Sequence, residues 1–136
     1  MWLVYALLAA VFASLTAILA KVGLDGVNSH LATAVRTAVV LVLAWSMVIV
    51  VGAQREVANL TRNNLIFLTL SGLCTGLSWL CYYKALQMGQ VSKVAPIDKS
   101  SVVLTIILAA AFLHEPFTLK TAAGSALLLL GILVLI

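Results

Sequence analysis

Residues 79–118 read WLCYYKALQMGQVSKVAPIDKSSVVLTIILAAAFLHEPFT, and this stretch decides how the whole chain is read. Two apolar runs flank a polar turn, and Lys84, Lys93, Asp98, Lys99 and Glu115 fall inside or beside them. Pro96 heads the second run, at V-A-P-I-D-K. Charge inside an apolar setting carries a desolvation cost, so it is found where a function or a partner offsets that cost.

The surroundings are almost entirely apolar. Of 136 residues, 64% are hydrophobic and 9% charged, and the mean hydropathy is +1.20. Soluble domains carry about 25% charged residues, and a small one buries only about two-thirds of its chain surface. The composition therefore specifies an integral membrane protein, whose first partner is the lipid bilayer. The net charge of +4 includes no basic cluster with interleaved aromatics, which excludes nucleic acid as a partner. Scattered Lys and Arg in such a chain act as topology signals.

Five apolar segments follow, at about 2–22, 30–51, 65–88, 94–113 and 119–136, each near the ~20 residues a helix needs to cross the hydrocarbon core. The expected fold is all-α, a bundle of five transmembrane helices forming a single domain over 1–136. Trp2 and Tyr5 suit an interfacial anchor. The first run continues past the length of a cleaved signal, so it is read as a retained span. Ser29 is the expected N-cap of the second helix, and Gln54–Asn64 the longest polar loop. Gly89 suits the C-terminus of the third helix. Gly72 and Gly76 form G-x-x-x-G, which brings helices close together either within one subunit or between two. Cys74 and Cys81 share a helix roughly 10 Å apart along its axis, too far to bridge.

With the N-terminus cytoplasmic, one side holds Arg55, Arg62 and Lys120 and the other Lys21, Lys84 and Lys93. The positive-inside rule expresses no preference for such a balance. The same chain can then insert both ways, and two oppositely inserted copies make an antiparallel homodimer.

Asp98 is the sharpest candidate. Either it sits at the third position of a helix begun by Pro96, offsetting the helix dipole, or it faces a water-filled cavity and exchanges a proton or binds a cation. Lys99 points about 100° away, so the two need not pair; Ser100 and Ser101 extend the polar patch. Lys84, near a helix C-terminus, is aimed inward by side-chain tilt and either complements the dipole or meets Asp98 or an anionic substrate. Arg36 either snorkels back to the near interface or lines a polar cavity. Trp79, Tyr82 and Tyr83 form either an interfacial belt or a pocket with cation–π capacity. Glu115 reads as a loop acid capping the last helix. The sequence holds no catalytic constellation, metal-ligand spacing or phosphate loop, so neither an enzyme nor a cofactor is expected.

The pattern Y-Y-K-A-L-Q-M-G at 82–89, V-A-P-I at 94–97, H-E-P-F-T at 114–118 and the Gly124–Gly131 helix resembles the EamA-like domain of the drug/metabolite transporter superfamily. The motifs lie mostly in the last 60 residues. The resemblance implies half of an inverted-repeat transporter, of the small five-helix bacterial and archaeal branch that pairs as a dimer in the cytoplasmic (inner) membrane. It implies alternating access for a small-molecule substrate; on that expectation the residues themselves suggest Asp98 as coupling group, Arg36, Lys84 and Lys99 setting charge preference, and Trp79, Tyr82 and Tyr83 lining the site. Asp98-Lys99 does not map onto a general family pattern. The alternative is a non-transporting scaffold or one subunit of a heterodimer.

Overall fold

The computed structural model describes every residue from Met1 to Ile136, and all its regular structure is helical. In chain order the elements are α1 (Trp2–Gly23), α2 (Ser29–Val51), a 3₁₀ helix (Ala53–Asn59), α3 (Arg62–Met88), α4 (Val91–Lys99), α5 (Ser101–Phe112) and α6 (Leu119–Leu135). Four stretches are long and apolar enough to cross a membrane: Trp2–Gly23, Ser29–Val51, Arg62–Met88 and Val91–Phe112. The last helix, Leu119–Leu135, is apolar and shorter; at about 1.5 Å per residue its 17 residues extend roughly 25 Å.

Large apolar side chains on these helices are exposed along most of their length, Val50 at 79% and Val134 at 87% among them. In water such continuous apolar surface drives association; in lipid it is the matched solvent. The protein is a multi-pass integral membrane protein. Hydroxyls on the spans follow the same logic. Thr33, Thr37, Ser46, Thr75 and Thr105 each donate to the carbonyl four residues earlier, at 2.7–2.9 Å, so their polarity is satisfied within their own helix.

The chain divides into two compact units, Leu19–Gln87 and the set Met1–Ile18 with Met88–Ile136. In the first, the core gathers where α1 ends, α2 begins and α3 ends, around Ala20, Leu24, Ser29, Thr33, Tyr83 and Leu86. Leu86 is wholly buried. Two hydrogen bonds fasten this corner: Lys21 Nζ donates to the Leu86 carbonyl at 2.5 Å, and Gln87 Nε2 donates to the Val27 carbonyl at 2.9 Å. Both acceptors belong to turns or helix ends that have lost intrahelical partners.

The start of α2 corrects one expectation. Its cap is Asn28, whose side chain accepts from the His30 N–H at 2.9 Å; Ser29 is already helical and buried. Asn and Ser are nearly equal as caps, and the residue in extended conformation, Asn28 with ψ 130°, takes the role. At the other end Gly52 adopts φ 79° and returns its N–H to Ile49 and Val48, a left-handed C-terminal turn that a side chain disfavours. The polar stretch after it is not an open loop: Ala53–Asn59 forms a 3₁₀ helix, and Thr61 caps α3 by accepting from the Asn64 N–H at 3.2 Å. Helix α3 thereby starts at Arg62 rather than Leu65 and spans 27 residues.

In the second unit α6 packs against α4 and α5, with Val103 and Ile132 in the core. The expected fourth helix is both earlier and divided. It begins at Val91, where Lys93 and Val94 both donate to the Gln90 carbonyl, and it carries Pro96 inside rather than at its first position. A proline has no N–H for the carbonyl four residues back, here Ser92. The helix tightens three residues on, where the Ser100 N–H reaches Ile97, and α5 resumes at Ser101. Helix α5 ends at Phe112 with Leu113 as its C-cap, His114 follows with φ 54°, and α6 is capped by Thr118, accepting from the Thr121 N–H at 3.2 Å. Glu115 is therefore not the cap. Thr118 is the side chain that sits in extended backbone immediately before the helix.

Candidate functional site

The charged and aromatic side chains singled out by sequence resolve into two separate groups, one in each unit. In the unit Leu19–Gln87, Arg36 lies seven residues into α2, about 10 Å from its start, and Trp79 lies nine residues before the end of α3, about 13 Å from it. The two meet. The Arg36 guanidinium carbon sits 2.8 Å from the centroid of the Trp79 ring and 5.7 Å from that of Tyr83. Trp79 and Tyr83, one helical turn apart, stack at 6.2 Å with an interplanar angle of 19°. Tyr82 meets Tyr83 edge-on at 6.4 Å and 66°. Tyr83 is buried and Arg36 half-buried.

Of the two placements weighed for Arg36, a snorkelling side chain and one lining a polar cavity, neither foresaw the aromatic partner. Side-chain tilt directs an arginine toward the start of its own helix, and here the guanidinium lies against the indole face of α3. A cation over an aromatic face gains about 0.5–1 kcal/mol when exposed and about 2 kcal/mol when desolvated, and Arg36 is half-buried. The aromatics likewise do more than stand at an interface: Trp79 and Tyr83 form the wall on which the cation rests.

Lys84 follows on α3 and is exposed. It contacts the Gln87 side-chain oxygen at 3.5 Å, and Gln87 in turn holds the Val27 carbonyl. Gly72 and Gly76 lie further along α3 with open space above them: an added Cβ at either meets nothing within 4 Å. Cys74 and Cys81 are free thiols, both exposed.

In the other unit Asp98 and Lys99 form an ion pair at 3.2 Å, with side chains 36% and 60% exposed respectively. Adjacent helical residues diverge by about 100°, but the flexible lysine stem folds back across that angle. Because Pro96 is internal, Asp98 is the penultimate residue of α4, in its last turn and not its first, and the helix-dipole role weighed for it is lost. Helix dipoles favour cations at that end, so the carboxylate is held by Lys99 alone. Further along, Thr105, Ala109, Leu113, Glu115, Phe117 and Thr121 line a cavity of about 330 Å³ between α5 and α6. Sequence reasoning missed this pocket. The only signal for it was the H-E-P-F turn, whose left-handed His114 directs the Glu115 N–H to the Ala109 carbonyl.

Residues 1–136 match the model of the EamA-like transporter family. A protein described as an uncharacterized transporter in the cobO 3' region, from Sinorhizobium sp, is 42% identical over 134 residues, covering 98% of this chain and 95% of the relative. No solved structure matches the chain.

Proposed function

The chain belongs to the EamA-like transporter family, and on that premise we propose that it moves a small molecule across a prokaryotic cytoplasmic membrane by alternating access, as an antiparallel homodimer of five-span domains. The observation that carries the reading is Arg36. A charge at the centre of a span costs about 2.5–3.5 kcal/mol on insertion scales, and this one, about 10 Å from the start of α2, lies against Trp79 and Tyr83. The even distribution of Lys and Arg between the two sides supports two orientations, and the uncovered Gly72–Gly76 face supplies a surface for a second copy.

Within this scheme Trp79, Tyr82 and Tyr83 contact the substrate, Arg36 and Lys84 set its charge preference, and Asp98, with Lys99 as its partner, is the protonatable coupling group. Two measurements test it. Flux in proteoliposomes of the purified chain establishes transport, and an absence of flux for every solute class removes the function. Membrane-impermeant labelling of cysteines placed at both termini is expected to show each terminus on both sides. A single orientation removes the antiparallel homodimer and leaves a heterodimer with a sister chain.

A further inference from the structure

Helices α1, α2 and α3 contain Lys21, Arg36, Arg62 and Lys84 and not one Asp or Glu. Lys21 donates to the Leu86 carbonyl, Lys84 contacts Gln87, and Arg62 opens α3, at the end where charge meets headgroups and water. Arg36 alone lies well inside a helix, and within its own unit what faces it is aromatic, Trp79 and Tyr83, since α1, α2 and α3 carry no carboxylate. Stacking satisfies the face of a guanidinium and leaves its edge unused. The edge carries the N–H donors, arranged as a planar fork that matches a carboxylate or phosphate with two parallel hydrogen bonds. A half-buried, permanently charged fork that meets no counter-charge on the three helices of its own unit is a recognition element for an oxyanion.

From this geometry we infer that Arg36, held flat on Trp79, is the substrate-recognition group, and that the transported molecule is a small organic anion bearing a carboxylate or phosphate. The inference rests on the transporter reading for the word substrate, but the anion site stands on the geometry of α2 and α3. Trp79 sets the orientation of the fork, and Tyr83, stacked on Trp79, buttresses the indole. The anion neutralises the buried charge, which stabilises the loaded state relative to the empty one.

The test uses the full chain in lipid nanodiscs, with Trp2→Phe and Trp45→Phe leaving Trp79 as the sole tryptophan. Its emission reports on the ring under the guanidinium. Titration with inorganic phosphate, glycerol 3-phosphate, acetate and succinate is expected to give a saturable change with at least one of them, and the phosphate and carboxylate arms separate the two headgroups. Glucose and tetramethylammonium are expected to give none. Arg36→Gln is expected to weaken the response at least tenfold. Arg36→Lys, which keeps the charge and the fold but loses the fork, is expected to fall between the two. No response to any oxyanion, or an equal response in Arg36→Gln, overturns the inference. So does a tetramethylammonium response gained in Arg36→Gln, because the aromatic wall would then be a cation site that Arg36 fills. Parallel flux measurements keep the two readings apart: oxyanion binding without flux removes the transporter and leaves the site, whereas flux of cations or neutral solutes alone removes the site and leaves the transporter.

Discussion

The ammonium of Lys21, in the last turn of α1, donates to the backbone carbonyl of Leu86, in the last turn of α3, at 2.5 Å. The bond joins positions 65 residues apart in sequence and completes one of the orphan carbonyls at the end of α3. It also places a cation at the negative end of that helix. The corner it fastens also holds Tyr83 of the aromatic wall among its buried residues.

Removing this cation is expected to loosen that corner. Lys21→Met keeps the stem and deletes the charge, leaving the carbonyl of a fully buried residue without its donor. A hydrogen bond from a charged group contributes about 1.5–3 kcal/mol, so a loss of about 2 kcal/mol in reversible unfolding in mixed micelles is expected. Lys21→Arg is expected to recover most of it. No change in Lys21→Met would assign the stability of the corner to its apolar contacts alone.

How far the sequence revealed this molecule depends on the range of the interaction concerned. Spans were readable because hydropathy is a local sum, and the end of α3 at Met88 was marked by the glycine after it. Asn28 and Ser29 could not be ranked by type, since both cap well; only the backbone angle separates them. Pro96 was misplaced for a related reason. Proline suits the first turn of a helix and disfavours helix before it, but a membrane span tolerates an internal proline, and V-S-K-V-A continues the helix upstream. The contact of Arg36 with Trp79 was out of reach altogether. Side-chain tilt is a property of one helix, and the competing aromatic face is 43 residues away in the chain.

Asp98 is expected to matter for coupling and little for stability. Its ion pair with Lys99 is largely open, the two side chains being 36% and 60% exposed, and exposed pairs contribute about 0–1 kcal/mol. Asp98→Asn should therefore leave the unfolding midpoint within about 0.5 kcal/mol of the parent. In proteoliposomes the same variant is expected to transport without responding to a pH gradient. Retention of full pH-driven flux would remove Asp98 as the coupling group, and the unaltered stability makes a folding explanation unavailable.

Ser125 offers a prediction of the opposite sign. Its hydroxyl is buried without a hydrogen-bond partner, unlike those of Thr105 on α5 and Thr75 on α3, which bond their own helices. A buried hydroxyl left unsatisfied costs about 1–3 kcal/mol. Ser125→Ala is thus expected to stabilise the chain by about 1 kcal/mol, read as a raised thermal midpoint in detergent. A lowered midpoint would mean that the hydroxyl finds a partner in the assembled protein.

Gly76 tests the second copy. Nothing lies within 4 Å of a Cβ placed there or at Gly72, so the first side-chain atom of Gly76→Leu meets no neighbour, and the substitution improves helix propensity by just under ~1 kcal/mol. The monomer should be as stable as the parent or slightly more so. A helix approaching closely over Gly72 and Gly76, as G-x-x-x-G surfaces allow, cannot accommodate a leucine without moving away. Crosslinking or single-molecule photobleaching in bilayers is therefore expected to show the dimer fraction reduced tenfold or more, with unfolding stability preserved. An undiminished dimer would place the contact between copies on another face and leave this glycine pair facing lipid.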